Sequence, residues 1–480
     1  MSNMFRSLAV RNYRIWFVGA LVSNIGAWMQ ATTQNWVVLT ELTDNNASAV
    51  GITMALQFGP QLLLVPFSGA VADRFDRRRV LLVTQSLLML LAVGLGVLLV
   101  TGQAHLWHLY GFALALGIVN AFDTTSRQAF VSDLVGTSQL SNAVALNSAS
   151  FNSARLVGPA VAGVLIAVVG SGWVFLINAA SFLAVLGALL LIDARPAPAP
   201  ASSRRESQLR QLSAGFRYVR RRHDLLVIFV IVFLVGAFSM NFPVISSTMA
   251  VEFGRGASDY GLLSSILAVG SLAGALLSAR RPDARMRVII IAVGGVGVVS
   301  LVAAFMPTFW SFAATLVFFG LAISTMLTTA NGFVQTTADP AVRGRVLALY
   351  MAILMGGTPV GAPLVGVAAD ALGPRSTLII SAAAGLLAFG VGIAWLFTDR
   401  RLRFHRERGL HFAVTHAGRP GLDDDPGKQT ETLTAPISIL RRGDAALGAG
   451  ESAPIEGSSA SATGAIRVDD GEDPERPPAK

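Results

Sequence analysis

The sequence predicts an all-α polytopic membrane protein with twelve transmembrane helices in two pseudo-symmetric six-helix halves. Three observations carry this expectation. Hydrophobic residues make up 53% of the 480 positions and charged residues only 14%, where a soluble domain carries about a quarter charged residues. The first 398 residues read as six long apolar runs, a basic break and six more runs. Outside the spans of that stretch, 22 arginines fall in segments on one side of the alternation and two on the other, as the positive-inside rule requires.

The apolar runs fall at about 15–40, 50–72, 80–101, 106–126, 141–169, 173–192, 224–250, 260–279, 288–306, 308–336, 346–369 and 376–397. A helix crosses about 30 Å of hydrocarbon in roughly 20 residues, so each run is long enough for one crossing. The apolar pattern is continuous rather than alternating, which excludes a β-barrel. The first run is too long and too polar-studded for a cleavable signal peptide. The domain limits are therefore 1–192 for the first half, 193–223 for a linker, 224–398 for the second half and 399–480 for a tail.

The linker opens stiffly on Arg195-Pro-Ala-Pro-Ala-Pro. Leu209, Leu212, Phe216 and Val219 then share one helical face among arginines. That pattern fits a basic amphipathic helix on the inner lipid headgroups, with a solvated linker as the alternative. The tail is rich in Gly, Ala, Ser, Pro and acids, a composition that predicts cytoplasmic disorder. Its first residues, Arg400 to Arg408, are basic enough to rest on anionic lipid.

Several functions are excluded by what the chain lacks. It has no cysteine, hence no disulfide, thiol or cysteine–metal chemistry. It has no phosphate-binding Gly-rich loop with lysine, and no lysine at all before the tail, so it encodes no ATPase. The histidines lie in loops or the tail without zinc-ligand spacing. No enzyme constellation, cofactor or metal is expected. The net charge of +9 comes from dispersed loop arginines, which argues against a nucleic-acid partner. The arginine-only body fits a high-GC bacterium and its plasma membrane, with both termini cytoplasmic.

The halves repeat. Gly69-Ala-Val-Ala-Asp73-Arg74 after the second span is echoed by Gly274-Ala-Leu-Leu-Ser278-Ala279 and Arg280 after the eighth, 205 residues on. Val157-Gly158-Pro159-Ala-Val-Ala-Gly163 in the fifth is echoed by Val360-Gly361-Ala362-Pro363-Leu-Val-Gly366 in the eleventh, 203 residues on. From this match the fifth helix is expected to press against the eleventh.

The layout, with Gly69-x-x-x-Asp73-Arg74-Phe75-Asp76-Arg77-Arg78, resembles the major facilitator superfamily and its loop 2–3 signature, except that Asp76 replaces a glycine. Gly158-Pro159-Ala-Val-Ala162-Gly163 resembles the superfamily's antiporter signature, with Ala162 in place of a glycine. Asp123-Thr-Thr-Ser-Arg127-Gln-Ala and Arg343-Gly-Arg-Val look like the bacterial exporter branch that includes the enterobactin exporter and macrolide efflux proteins. The resemblance covers about residues 5–398. It implies that Asp73, Arg77 and Asp123 form a charge network that closes the inner gate, framed by Gly69, Arg74 and Arg127. The alternative is that these arginines are topology anchors. It also implies a gating or tight-packing role for Gly158, Pro159 and Gly163.

The first helix of each triplet should line the central cavity, with Asn24, Gln34, Asn35, Asn120, Asn241 and Asn331 among its polar residues. Arg155 is the one arginine inside an apolar run. Its partner is left open between Asp123, Asn120, an anionic substrate group and the inner membrane surface. The acids able to couple transport to protons are Glu41, Asp123 and Glu252. Asp123 lies beside Arg127, whereas Glu41 has no basic neighbour in sequence and is the preferred carrier.

The expected function is secondary active transport by alternating access: proton-coupled export of a small amphiphilic organic compound by a monomer in the lipid bilayer. A nutrient importer by symport or uniport, and a non-transporting sensor signalling through its tail, are the alternatives. Deleting residues 409–480 separates the sensor from a transporter. The topology is directly testable. Reporters fused after residues 45, 200 and 400 should read outside, inside and inside, and a periplasmic signal at 200 overturns the two-half arrangement.

Overall fold

In hydrocarbon every backbone N–H and C=O must be satisfied within the chain, so long apolar runs become helices. The computed structural model describes residues 3–192, 215–281 and 283–399, and the backbone of 403–406 and 412–415. After a 3-10 segment, Asn3–Ala9, come α1 (Arg11–Thr40), α2 (Ala47–Arg74), α3 (Arg77–Val100), α4 (Leu106–Leu134), α5 (Thr137–Val169) and α6 (Ser171–Leu191). The second half holds α7 (His223–Glu252), α8 (Ala257–Ala279), α9 (Met286–Ala304), α10 (Phe309–Thr337), α11 (Arg343–Leu372) and α12 (Arg375–Asp399). Beyond α12, Arg403–Arg406 pairs antiparallel with Phe412–Thr415.

Helices α2 to α12, eleven in number, are long and apolar enough to cross a membrane. α1 has the length, 30 residues. Its lower hydropathy comes from Gln30, Thr32, Thr33, Gln34 and Asn35, all buried. These polar groups are satisfied inside the bundle: Asn178 Nδ2 donates to Gln30 Oε1 at 2.6 Å and Gln34 Nε2 to Gln57 Oε1 at 3.0 Å. The bundle thus has twelve spanning helices. Its two ends differ in charge. The α2–α3, α4–α5, α8–α9 and α10–α11 connections lie at an arginine-rich end; the α1–α2, α5–α6, α7–α8 and α11–α12 connections lie at an arginine-poor end.

Within the halves, α1 packs on α5 and α6 and α2 on α4, as α8 packs on α10 and α9 on α12. Between the halves, α2 packs on α11 and α5 on α8. The expectation that the fifth helix meets the eleventh is therefore corrected. The two are counterparts in the repeat, and each presses on a helix of the other half.

The equivalence of these crossings extends to single residues. A Cβ added at Gly51 of α2 would run into the Ala362 carbonyl oxygen of α11, and one at Gly261 of α8 into the Pro159 carbonyl oxygen of α5. A Cβ at Gly366 would stand 2.5 Å from the Ala47 carbonyl oxygen, and one at Gly163 2.7 Å from that of Ala257. Residues 159, 163 and 170 match 362, 366 and 373 at one offset, while 47 and 51 match 257 and 261 at another. Gly170 and Gly373 end α5 and α11 at φ of 88° and 86°, a left-handed turn that glycine adopts without steric cost. Small residues at such positions let backbones approach within the bilayer.

α7 is interrupted. It is α-helical over His223–Leu234, makes a π turn over Val235–Ser239 and resumes at Phe242. The π turn packs on α11 where Gly357 and Gly361 have no side chain. Of the linker face expected at the headgroups, Leu209 and Leu212 lie outside the described residues. Residues 215–220 are helical, with Val219 buried, Phe216 exposed and Tyr218 Oη accepting from the Asp339 N–H at 3.3 Å. The tail from 416 on also lies outside the described residues.

Overpacking a close crossing costs about 1–3 kcal/mol. Gly51→Ala and Gly261→Ala should lower the melting temperature in detergent by several degrees. Gly59→Ala on the same α2 helix, with open space around it, should leave it unchanged. Equal melting of all three would remove the crossings as the contact between halves.

Candidate functional site

Depth decides which polar residues are open. Gln34, Asn35 and Asn241 lie toward the arginine-poor end and are 3%, 8% and 0% exposed. Asn24, Asn120 and Asn331 lie at mid-depth or toward the arginine-rich end and are partly exposed. On α5, Ser148, Asn152 and Ser153 are exposed close to mid-helix. Polar groups at that depth face water-filled space, not lipid. The cavity between the halves thus opens toward the arginine-rich end and is closed at the other. Asn241 is consequently not a lining residue in this conformation. Its Nδ2 donates to the Ala237 carbonyl freed by the π turn, and its Oδ1 is buried without a hydrogen-bond partner.

The closed end is held by several contacts across the halves. Trp36 of α1 stacks on Tyr260 of α8, centroids 5.6 Å apart. The N-terminus of α2 is capped from both halves. Asn46 accepts from the Ala49 N–H at 2.9 Å. Asp370 of α11 accepts from the Ala47 N–H at 2.7 Å and the Ser48 N–H at 2.9 Å, and also from the Ser48 hydroxyl. A carboxylate there meets orphan donors and the positive end of the helix dipole. A cavity of about 450 Å³ beside this cap is lined by Asp44, Asn45, Thr248, Asp370 and Pro374 among others. At the same end Glu41 accepts from Ser171 Oγ at 2.6 Å, and Glu252 stands 3.9 Å from Arg375; both acids are exposed. The sequence reading missed Asp370, because its partners are backbone N–H groups that no motif displays.

At the arginine-rich end, Arg77 Nη1 meets Asp133 Oδ1 at 2.6 Å. Asp133 thus replaces Asp123 as the α4 acid that meets Arg77. Asp123 is 4% exposed and accepts from Thr84 Oγ1 at 2.8 Å, Gln85 Nε2 at 2.6 Å and Arg127 Nε at 3.2 Å. Ten residues of helix place it about 15 Å deeper than Asp133. With the Arg127 guanidinium over the Trp16 ring at 5.6 Å, Asp123 ties α3, α4 and α1 together inside one half. Asp73, at the last turn of α2, is engaged as well; Gly69 is partly buried and Arg74 exposed. Asp76, in place of the signature glycine, caps α3 by accepting from the N–H groups of Arg78 and Arg79.

A sequence model described as transmembrane secretion effector matches residues 2–403. The chain belongs to this family, a branch of the major facilitator superfamily. Among relatives of this secretion-effector chain, the staphyloferrin A transporter of Staphylococcus aureus is 25% identical over 83% of the chain and 99% of its own length. The enterobactin exporter EntS of Shigella boydii is 26% identical over 76% of the chain and 87% of its own length. Among solved structures, an inward-facing, unoccupied bacterial homologue of the human lysosomal transporter Spinster aligns with a TM-score of 0.65 and 13% identity, covering 80% of this chain and 96% of that one. The nucleoside transporter NupG aligns with a TM-score of 0.63 and 13% identity, covering 80% and 98%. The protein is a transporter of this fold and not an enzyme.

Gly158, Pro159 and Gly163 divide their contacts. A Cβ at Gly158 would stand 2.6 Å from Trp28 Cβ of α1, while Pro159 and Gly163 face α8. Arg155, one turn earlier, holds its guanidinium 5.9 Å from the Trp28 ring centre. Among the described residues Arg155 makes no hydrogen bond or ion pair, so neither Asp123 nor Asn120, the partners left open from sequence, pairs with it. A charge at the centre of a span costs about 2.5–3.5 kcal/mol on insertion scales, which makes its position informative.

Residues acting through one contact lose function together. In this secretion-effector transporter, Arg77→Ala and Asp133→Asn should lower transport to a similar degree, with the double variant no worse than either. Asp123→Asn should instead show as lowered yield and melting temperature. Additive losses from Arg77 and Asp133 would break the assignment.

Proposed function

We propose that this protein is a proton-coupled exporter of a small amphiphilic organic compound, working by alternating access from the cytoplasmic face of a bacterial inner membrane. The observation that carries this reading is the polarity of the bundle. Mid-depth polar residues open toward the arginine-rich end, and the arginine-poor end is closed by contacts that can break. The arginine bias supports a cytoplasmic open end; in an exporter that conformation is the loading state. The exporter name of one relative, EntS, and the family's secretion description support that direction.

The gates follow from the charges. Arg77, Asp133 and Asp73 close the cytoplasmic end when the halves rock, with Gly69, Arg74 and Arg127 as their frame. Gly158, Pro159 and Gly163 let α5 slide on α1 and α8. Asn24, Asn120 and Asn331 line the loading cavity, while Gln34, Asn35 and Asn241 become accessible from outside once the other end opens. The outer latch is Asp370 on the α2 N-terminus.

Coupling rests on an acid that faces the outer solution and holds that latch. Protonating Asp370 would remove its charge and turn one acceptor oxygen into a donor, which weakens its hold on two backbone N–H groups and a hydroxyl. Protons arriving from outside then favour opening. Glu41 and Glu252 lie at the same end and are the secondary candidates; Asp123, buried in one half, serves packing first.

A lost helix cap costs about 1 kcal/mol, roughly a fivefold shift in a two-state ratio. In this cysteine-free chain, a cysteine replacing Thr248 reports on the outer cavity. Asp370→Asn should raise its labelling by an impermeant maleimide severalfold, and should flatten the dependence of vesicle efflux on an imposed pH step. Unchanged labelling and pH dependence, with Glu41→Gln and Glu252→Gln also silent, would remove proton coupling through this face. Uphill uptake instead of efflux would overturn export.

A further inference from the structure

We infer that Arg155 and the Trp28 ring form a recognition subsite for the carboxylate-type oxyanion of an amphiphilic substrate, so that the protein selects organic anions over amines. This rests on the transporter reading above and narrows its substrate class.

Arg155 lies deep along its helix. α5 runs from Thr137 to Val169, which puts Arg155 roughly 20 Å or more along the helix axis from each helix end. Among the described residues it also has no counter-charge. Among the described residues it makes no hydrogen bond or ion pair, and the nearest acid in depth, Asp123, is committed to Thr84, Gln85 and Arg127. The other acids of the described spans sit at helix ends.

The helix turns Arg155 toward the pathway. On the wheel of α5 it falls between Gly158, which abuts α1, and Pro159, which abuts Gly261 of α8. The last α5–α8 hydrogen bond in that direction runs from Ser265 Oγ to the Leu156 carbonyl at 2.8 Å. Beyond it, α5 exposes Asn152 and Ser148. Arg155 thus stands at the closed floor of a cavity that opens to the arginine-rich end.

Its surroundings suit an anion with an apolar body. The Trp28 ring is braced edge-on by Phe151, centroids 5.6 Å apart and planes at 68°, and offers a face to the guanidinium. A guanidinium held by an aromatic face keeps its in-plane N–H fork free, and that fork matches a carboxylate in bidentate geometry. Asn152 and the partly exposed Asn24 lie one turn from Arg155 and Trp28 respectively and supply further polar contacts. An amine brought to the same place would meet a like charge.

The test uses the purified full-length protein in lipid nanodiscs and two probes matched in shape, anionic 1-naphthoate and neutral 1-naphthamide, measured by titration calorimetry. A hydrogen bond to a charged group corresponds to roughly ten- to a hundredfold in affinity, so wild-type protein should bind naphthoate at least about tenfold more tightly than the amide. Arg155→Gln should erase that preference by weakening naphthoate binding at least about tenfold. Asn152→Asp keeps the arginine but gives it an internal partner one turn away, and should erase the preference too. If Arg155→Gln fails to fold, Asn152→Asp alone decides. Equal binding of the two probes by wild type, or a preference that survives in either variant, overturns the subsite. Preference without efflux from vesicles upholds the subsite and removes the export reading; efflux without preference does the reverse.

Discussion

The two halves touch backbone to backbone, and the rest of the structure depends on that. Lipid tails are as apolar as leucine, so no hydrophobic drive holds helices together inside a bilayer. Close packing has to supply the attraction, and it needs small residues. Gly51 against Ala362, Gly261 against Pro159, and Gly163 and Gly366 against the starts of α8 and α2 provide it. Because the contacting surfaces are smooth, they can part without unthreading interlocked side chains. Their position at one end of the bundle also decides where the pathway is closed and which polar residues see water.

Charge is added to this scaffold sparingly and unequally. The two crossings are copies in backbone, yet only one carries a carboxylate. Asp370 caps α2, while the matching position on α5 is Ala167. Of two equivalent seams, one carries a carboxylate. The acids of α4 show the same economy. Asp133 sits where Arg77 can reach it at the rim, and Asp123 is sunk among Thr84, Gln85 and Arg127. A rim pair is solvated and breaks at small cost. A buried, fully bonded carboxylate is expensive to disturb.

Much of this was legible in the sequence. The spans, their alternation and the repeat follow from apolar runs, arginine placement and two echoes. What failed was the step from likeness to contact. The Gly158 and Gly361 segments match because they occupy equivalent places, and equivalent places in a two-fold arrangement need not touch. The choice between Asp123 and Asp133 also needed depth, which a signature does not carry, since it names a helix and not a turn. Asp370 was illegible for a different reason. Its partners are the Ala47 and Ser48 N–H groups, which any sequence would possess. α1 shows the converse: its polar run reads as a weak span, and only the partners Gln57 and Asn178 explain why it can lie within the bundle.

The ends of α2 connect these observations. Its N-terminus carries the Asp370 cap and its C-terminus reaches the Arg77 region. Near its middle, Leu62 approaches Gly356, close to the centre of α11, where an added Cβ would stand 3.0 Å from a leucine methyl. A rigid helix pair that touches at mid-length and is pinned at one end behaves as a lever. In the cycle proposed above, releasing the cap would let the arginine-poor ends separate and swing the arginine-rich ends together. The outer latch and the inner end of α2 beside Arg77 would then move together, because both belong to one helix.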